Sequence, residues 1–555
     1  MNKKAKGQKI SAVTNKGQKH LLPQLPQKSP VASQRRTRQA WIPNKGEFQI
    51  PHDGIEKSFL TEHLLVILLP SISWLFRRNL NLLAASGKIR RLISFVLPIS
   101  LGIIIWLLPA PAGVNTQAWH LLAVFLATIA GFITKPMTHG EISIIAIILI
   151  VLSHTLTIEE GLSGFSSTTS WLTCSSFLIA RAVIKTGLAT RIAYSFMTVL
   201  GKNTLLLSYG LLATDLILSP AMPSGNARAG GVIFPIVKSL ATAYKSEPYD
   251  GTASKIGGFL MNTGYQGTQI TTAMFMTAMV ANPLMAELAG GMGIKIDWGT
   301  WALAALVPGL ISLLVMPLIV YFYCPPEIKT TPEAPKLAQQ ELAQMGKVGK
   351  QEWITLCTIL VLLFLWSFGK QLGGIESATT ALMGVALLLS AGVLTWSEVV
   401  EERQTWDIFI WFSALLMMAT FLNKLGFIPW LSSTLGDVVK DLSWQLAFIV
   451  LGVAYFYGNY FFAGKAARAS AMYPAFLSVA ISVGTPPMYA ALSLAFLVNL
   501  SGCLTHYATA EAPIYYGSGY MDAATWSKLG FALSLAYMFI WLVIGGLWWR
   551  LLGFI

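Results

Sequence analysis

Charge is scarce in this sequence. Aspartate, glutamate, lysine and arginine together make up 12% of its 555 residues, about half the share of an ordinary soluble chain, which argues against a water-exposed globular protein. Cysteine is also rare: Cys174, Cys324, Cys357 and Cys503 are scattered without a C-x-x-C pair, so they read as small buried hydrophobes and not as a disulfide framework. The seven histidines fall in no His-Glu-x-x-His or other ligand spacing, and no nucleophile–base pattern accompanies them, so neither a metal centre nor an enzyme is expected. Ten-residue stretches of strict alternation are missing, which excludes a membrane β-barrel. No apolar run lies near Met1, which speaks against a cleaved secretory signal.

What the chain has is apolar length. Hydrophobic residues make up 54% of it and its mean hydropathy is +0.60. Apolar windows recur from Leu92–Leu108 to Phe531–Trp549. Several are shorter than the ~20 residues of a full span, so some segments must be tilted, buried or re-entrant. The fold expected is an all-α polytopic membrane protein with about 11 transmembrane helices plus two re-entrant helical hairpins in inverted repeats. The net charge is +14, concentrated at one end: residues 1–60 hold twelve Lys/Arg against Glu47, Asp53 and Glu56, giving +9 there and +5 elsewhere. Residues 1–58 read as a basic, disordered tail, placed in the cytoplasm by the positive-inside rule; an organelle transit peptide is the alternative. Nucleic acid is not an expected partner, since the tail lacks interleaved aromatics. Residues 59–90 read as an interfacial or peripheral segment, because the apolar run Phe59–Phe76 carries Glu62, His63 and Pro70.

Two apolar stretches break at polar, glycine-bearing tips. The first tip spans 219–228 and includes Pro220, Pro223, Ser224, Gly225, Asn226 and Arg228; the second spans 460–468 and includes Gly464, Lys465 and Arg468. Ser224 and Gly464 are 240 positions apart, and the Lys-x-Gly pairs Lys185/Gly187 and Lys424/Gly426 are 239 apart. Beyond each tip lies a second polar stretch, 265–272 and 505–513, read as broken helices on their similar distances from the tips (Ser224 to Gln266, Gly464 to Ala508). This order points to duplication. One helix within 91–116 precedes repeat one at 117–323; a polar linker at 324–352 leads to repeat two at 353–552. Five helices per repeat, an odd number, invert the second copy, so both tips can reach the midplane from opposite faces.

A helix broken in the membrane offers unpaired N–H groups at the start of its second half, which with the helix dipole favour anions; carbonyls at the end of the first half suit a small cation. Ser224 and Asn226 sit where such roles are needed, and Gly225 lets backbone approach closely. Arg228 and Arg468 could grip a carboxylate or pair with carbonyls.

The stretches "GLSGFSSTTSW", "KTGLATRIAY" and "SPAMPSGNARAGGVIFPIVKSLA" in 161–241 resemble the divalent anion:sodium symporter family, as do "ITTAMFMTAMVANPL", "WFSALLMMATFLNKLGFIPW" and "LTHYATAEAPIYYGSGY". The nearest branch is that of citrate/succinate antiporters and plastid 2-oxoglutarate/malate translocators. The resemblance covers about residue 90 to the C-terminus. It implies a homodimer in a bacterial inner membrane or organelle inner envelope, carrying small carboxylate anions by an elevator motion. It also implies substrate contacts from Ser224, Gly225, Asn226, Thr268, Lys465 and Thr509, and cation sites, or their replacements, around Ser224, Gly225, Gly267, Gly464, Lys465, Ala508 and Glu511. No cofactor is implied beyond a possible sodium ion. The sequence departs from the family's Ser-Asn-Thr tips: Gly225 separates Ser224 from Asn226, and the second tip is Gly464-Lys465-Ala466. Glu511 stands where a proline-type residue is usual. A charge at bilayer depth costs at least ~2.5–3.5 kcal/mol unless paired or hydrated, so Lys465 and Glu511 are weighed together: the ammonium occupies the second cation position, or the pair is a structural salt bridge, or Lys465 grips a substrate carboxylate, or Glu511 couples transport to protons.

Overall fold

The structure, a computed structural model, describes residues 87–439, 443–462 and 464–555. The basic tail and the expected interfacial segment up to residue 86 lie outside the described residues. Within them the chain folds as helices joined by turns, with an isolated bridge between Asn203 and Thr330.

The first three helices are α1 (Gly87–Leu107), α2 (Thr116–Thr134) and α3 (His139–Leu152). Polar residues start them: the Asn115 side chain accepts from the Gln117 N–H, and Thr138 forms a capping box with Glu141, satisfying donors that lipid could not. Next come α4 (Thr168–Lys185) and α5 (Leu188–Leu200), bent by 61°. The bend is made at Gly187, whose φ of +77° a side chain would disfavour. Then follow α6 (Thr204–Leu218), α7 (Phe234–Ala243, preceded by a π-helical stretch Asn226–Ile233), α8 (Gly257–Met274), α9 (Ala281–Gly290) and α10 (Trp298–Tyr323). The segment expected to be a plain polar linker holds α11 (Glu333–Met345) and is stitched down by Thr204 and Thr331, whose hydroxyls donate to Ile328 O and Gly201 O, both at 2.6 Å.

The second half comprises α12 (Lys350–Gly373), α13 (Ser377–Ser390), α14 (Arg403–Lys424), α15 (Phe427–Val439), α16 (Trp444–Tyr457), α17 (Lys465–Ser482), α18 (Pro487–Leu500), α19 (Ala512–Gly517) and α20 (Ala523–Met538, continued to Leu551). The two halves are tied by ion pairs: Lys185 with Glu398 at 2.6 Å, Arg191 with Glu352 at 2.7 Å and Arg181 with Glu402 at 3.4 Å.

Among the described residues six helices are long and apolar enough to cross a bilayer, seven if the bent α4–α5 pair counts as one span, with four shorter apolar helices besides. Eleven full spans are therefore not reached by length and apolarity alone, because several apolar helices stop at 14–17 residues. Large apolar side chains remain exposed along α1, α3 and α12, among them Ile103, Leu152, Leu360 and Phe364, as lipid-facing surfaces require.

One expectation needs correcting. Helix α8 runs unbroken through 265–272, with all eighteen residues buried. The interruption falls later, at Phe275–Val280, where a 3₁₀ turn Met276–Ala278 separates α8 from α9. In the second half the interruption follows Leu500, with a 3₁₀ turn Ser501–Leu504 and non-helical chain to Glu511. The discrepancy lies in the preceding loops: 244–256 joins α7 to α8, whereas only 483–486 joins α17 to α18. Equal sequence distances from the two tips therefore reach different depths, and the break in repeat one sits later than its near-constant offset suggested.

Candidate functional site

Both tips line one cavity of about 1130 Å³. Helix α6 starts under its Asn203 cap, which accepts from the Leu205 and Leu206 N–H groups, and ends at Leu218. Pro220 and Pro223 then remove backbone donors and keep the chain non-helical until Gly225. The Ser224 hydroxyl oxygen accepts the Ala227 N–H at 3.2 Å, capping the following helix and leaving its own O–H to donate outward. At the second tip, α17 begins at Lys465, and its first intrahelical bond runs from Arg468 N–H to Gly464 O at 3.2 Å. The donors of Lys465, Ala466 and Ala467 thus stand free of intrahelical partners at a positive helix end, and all three residues line the cavity.

Lys465 and Glu511 meet. Their Nζ–Oε1 distance is 3.8 Å, with both side chains about 5% exposed, so the charges attract without a direct short hydrogen bond. Lys465 Nζ donates to Thr272 Oγ1 at 3.5 Å, and Gln269 Nε2 donates to Glu511 Oε1 at 3.1 Å. A buried carboxylate is thereby neutralised from one side and hydrogen-bonded from another, as its burial demands.

The positions singled out in the sequence divide into two groups. Ser224, Gly225, Asn226, Gly464, Lys465, Thr509 and Glu511 line the cavity. Gly225 packs against α8 and Glu511: a Cβ there would lie 3.4 Å from Glu511 Oε1, Thr268 Cγ2 and Thr272 Cγ2. The Thr509 hydroxyl lies 3.3 Å from the Tyr265 hydroxyl and accepts the Ala512 N–H at 3.1 Å. Thr268, Gly267 and Ala508 are outside the lining. The Thr268 hydroxyl donates back to Gly264 O at 3.1 Å, and Ala508 is buried with its N–H on Thr505 Oγ1. Gly267 is a packing glycine: a Cβ there would fall 2.0 Å from Leu212 Cδ2, so it sets the approach of α8 to α6.

Arg228 and Arg468 are wholly buried and braced by protein groups. Arg228 binds Asp215 Oδ1 and Ala278 O, both at 3.0 Å, and also Met222 O. Arg468 binds Asn459 Oδ1 and Tyr455 O, both at 3.0 Å, contacts Ser501 Oγ, and lies over the Tyr455 ring at 4.8 Å. Each arginine ties its own tip to a 3₁₀ turn, Ala278 in one half and Ser501 in the other.

Gln269, Asp215 and Tyr507 join the site without having been singled out in the sequence, and Thr272, singled out there for its polar stretch, lines the cavity. Tyr265, Gln269 and Thr272 share one helical face, a spacing visible in the sequence. Asp215 is a lone carboxylate inside an apolar helix, which calls for a buried cation. Tyr507 lines the cavity and donates to Tyr460 O at 3.0 Å; nothing in the sequence marked it.

Among the described residues no group of three or more His, Cys, Asp or Glu side chains could hold a metal. Carbonyls and hydroxyls at the tips are the donors that would suit a sodium ion.

Residues 89–555 match the family model described as the sodium:sulfate symporter transmembrane region. The chain belongs to that family, the divalent anion:sodium symporters. It is 50% identical over 464 residues to the putative malate transporter YflS of Bacillus subtilis, covering 83% of this chain and 97% of that protein. It is 46% identical over 458 residues to the chloroplastic dicarboxylate transporter 1 of Arabidopsis thaliana, covering 82% of each. The solved Alcanivorax borkumensis YdaH transporter aligns with 83% of this chain and 96% of its own at 13% identity, with a TM-score of 0.47. Family membership makes this symporter-family protein an integral membrane transporter and not an enzyme.

Proposed function

We propose that this protein exchanges small di- or tricarboxylates of the succinate, malate, 2-oxoglutarate or citrate type across the membrane, with Lys465 standing in for the second sodium ion. The observation that carries this reading is the Lys465 ammonium buried at the start of α17, 3.8 Å from Glu511, in the cavity shared by Ser224, Asn226 and Thr509. A desolvated dianion needs compensating charge and directed donors; the tips supply both. The relatives named for malate and dicarboxylates support the substrate class. The elevator motion, the two tips as re-entrant hairpins, the homodimer, the cytoplasmic tail and a bacterial inner or organelle inner envelope membrane belong to the same reading.

Counterflow of labelled malate, succinate, citrate and 2-oxoglutarate in proteoliposomes, with and without sodium, tests it. Exchange that persists without sodium, together with sodium dependence altered in Lys465→Asn, supports the replacement. Strict sodium dependence in the natural protein favours a sodium-coupled symporter. No flux of any of the four, despite a folded protein, favours a sensor or scaffold on a transporter fold.

A further inference from the structure

The cavity has a second lining surface that the tips do not provide. It comes from α1, the α2–α3 turn and α14, and includes Arg91, Lys135, His139 and Gln404. Among the described residues three basic side chains line the cavity, Arg91, Lys135 and Lys465, against one carboxylate, Glu511, a formal +2 with histidine neutral. Lys465 is matched by Glu511; among the described residues the lining holds no further carboxylate for Arg91 and Lys135. The nearby Asp407 is outside the lining and accepts the Gly140 N–H at 3.0 Å.

The segments that carry Arg91 and Lys135 are fastened together. The Ser94 hydroxyl donates to Arg91 O at 2.8 Å, and the Thr134 hydroxyl donates to Ser94 O at 3.0 Å, fastening the start of α1 to the end of α2 beside Lys135. Lys135 takes the left-handed conformation, φ +52°, that closes α2, its N–H on Gly131 O at 2.8 Å. Glycine or asparagine fills that position with least strain; this chain has a lysine there, lining the same cavity as Arg91, a cavity far larger than one four-carbon dianion.

We propose that Arg91 and Lys135 form a second, looser subsite for small polycarboxylate anions, which concentrates them in the cavity before one reaches the tips. The subsite rests on the carboxylate-transport reading for its ligand, and on the lining charges for its sign. Clefts of one charge sign raise local counter-ion concentration and capture rates by roughly 10- to 1,000-fold, an effect that salt erodes.

The test uses the full-length protein in zwitterionic lipid nanodiscs, with Cys357→Ala and Cys324→Ala removing the accessible thiols and Ile133→Cys as a reporter on the same lining surface. Rates with an anionic and a cationic methanethiosulfonate reagent are compared, each normalised to a free thiol. The anionic reagent should be favoured, the ratio should fall roughly tenfold in Arg91→Gln/Lys135→Gln, and malate should slow the anionic reaction. A ratio that the double substitution leaves unchanged, in protein that melts normally, overturns the subsite. In proteoliposomes the same double variant should raise the malate concentration for half-maximal exchange several-fold at low salt and less at high salt; an unchanged value at low salt also overturns it. Failure of the transport reading shows differently: the unsubstituted protein moves no carboxylate while the reagent ratio still depends on Arg91 and Lys135.

Discussion

Removing one member of the Lys465–Glu511 pair should cost far more than removing both. At 3.8 Å two unit charges attract by about 4 kcal/mol at an effective dielectric of ~20, and this attraction offsets the desolvation of two groups that are each about 5% exposed. Lys465→Met leaves a buried carboxylate held only by Gln269. Glu511→Gln leaves a buried ammonium held only by Thr272 at 3.5 Å, although the new amide can still accept from Gln269. Each single substitution should destabilise by ~3–5 kcal/mol, and the double by far less, because a buried pair replaced by neutral groups is close to neutral. The assay is a double-substitution cycle of denaturation midpoints in detergent without ligand, followed by malate titration. The coupling should exceed ~2 kcal/mol, and Lys465→Met should weaken malate binding at least ~30-fold, equivalent to ~2 kcal/mol. Strict additivity, with coupling below ~0.5 kcal/mol, would refute the idea that the two charges depend on each other.

Two glycines should respond oppositely to alanine. At Gly225 the new methyl meets neighbours at ordinary contact distance, so stability should change by less than ~1 kcal/mol while malate affinity falls, because the methyl takes up cavity space beside Glu511; at Gly267 it would collide with Leu212, costing ~1–3 kcal/mol, with lower melting temperature and yield. Asp215→Asn should leave Arg228 uncompensated in a fully buried site and lower stability by ~3–5 kcal/mol, read by thermal denaturation; a neutral outcome would mean that the carbonyls of Met222 and Ala278 suffice. The Lys185 ammonium and the Thr395 backbone hold the Glu398 carboxyl down at about 2. Since the folded value lies below the ordinary ~4.3, this contribution is present above that pH and fades as pH falls towards 2. The site is still partly open to solvent, which keeps the contribution small, so Glu398→Gln should flatten slightly the decline in melting temperature between pH 5 and 3.

Most of the helical architecture was legible because apolar length is a coarse signal, insensitive to where each turn falls. The tips were legible for a related reason: Pro220, Pro223 and Gly464 interrupt apolar stretches where lipid would forbid a break without a purpose. The breaks beyond them were less so. In repeat one the threonine- and glutamine-rich run 265–272 looked like a break, yet it is a continuous helix whose hydroxyls bond back onto its own turns, as Thr263 does to Phe259 O and Thr268 to Gly264 O. A buried polar helix and a broken helix have the same composition; only tertiary placement separates them. Gly267 failed likewise, since a glycine that admits a neighbouring leucine reads the same as one that admits an ion. The second lining surface was invisible because Arg91 and Lys135 belong to elements distant in sequence from either tip.

The two halves handle buried charge differently, and the difference bears on coupling. Arg228 is balanced by Asp215 at 3.0 Å, whereas the partners of Arg468 among the described residues are neutral groups and the Tyr455 ring. Counting Lys465 and Glu511, the buried cluster of both halves keeps one uncompensated positive charge, and it lies in the second half. A sodium ion bound there would be released at the end of each passage and would enter the stoichiometry. A lysine cannot leave. Under the proposed exchange, the cation at the second site returns with the protein on every cycle, so it can stabilise a dianion during crossing without contributing a transported charge. An electropositive cluster in a low-dielectric medium is costly to carry empty and cheaper to carry occupied by an anion. Under the proposed reading, the net positive charge left by Arg468 would add to this cost and disfavour the unloaded return, as an exchanger requires.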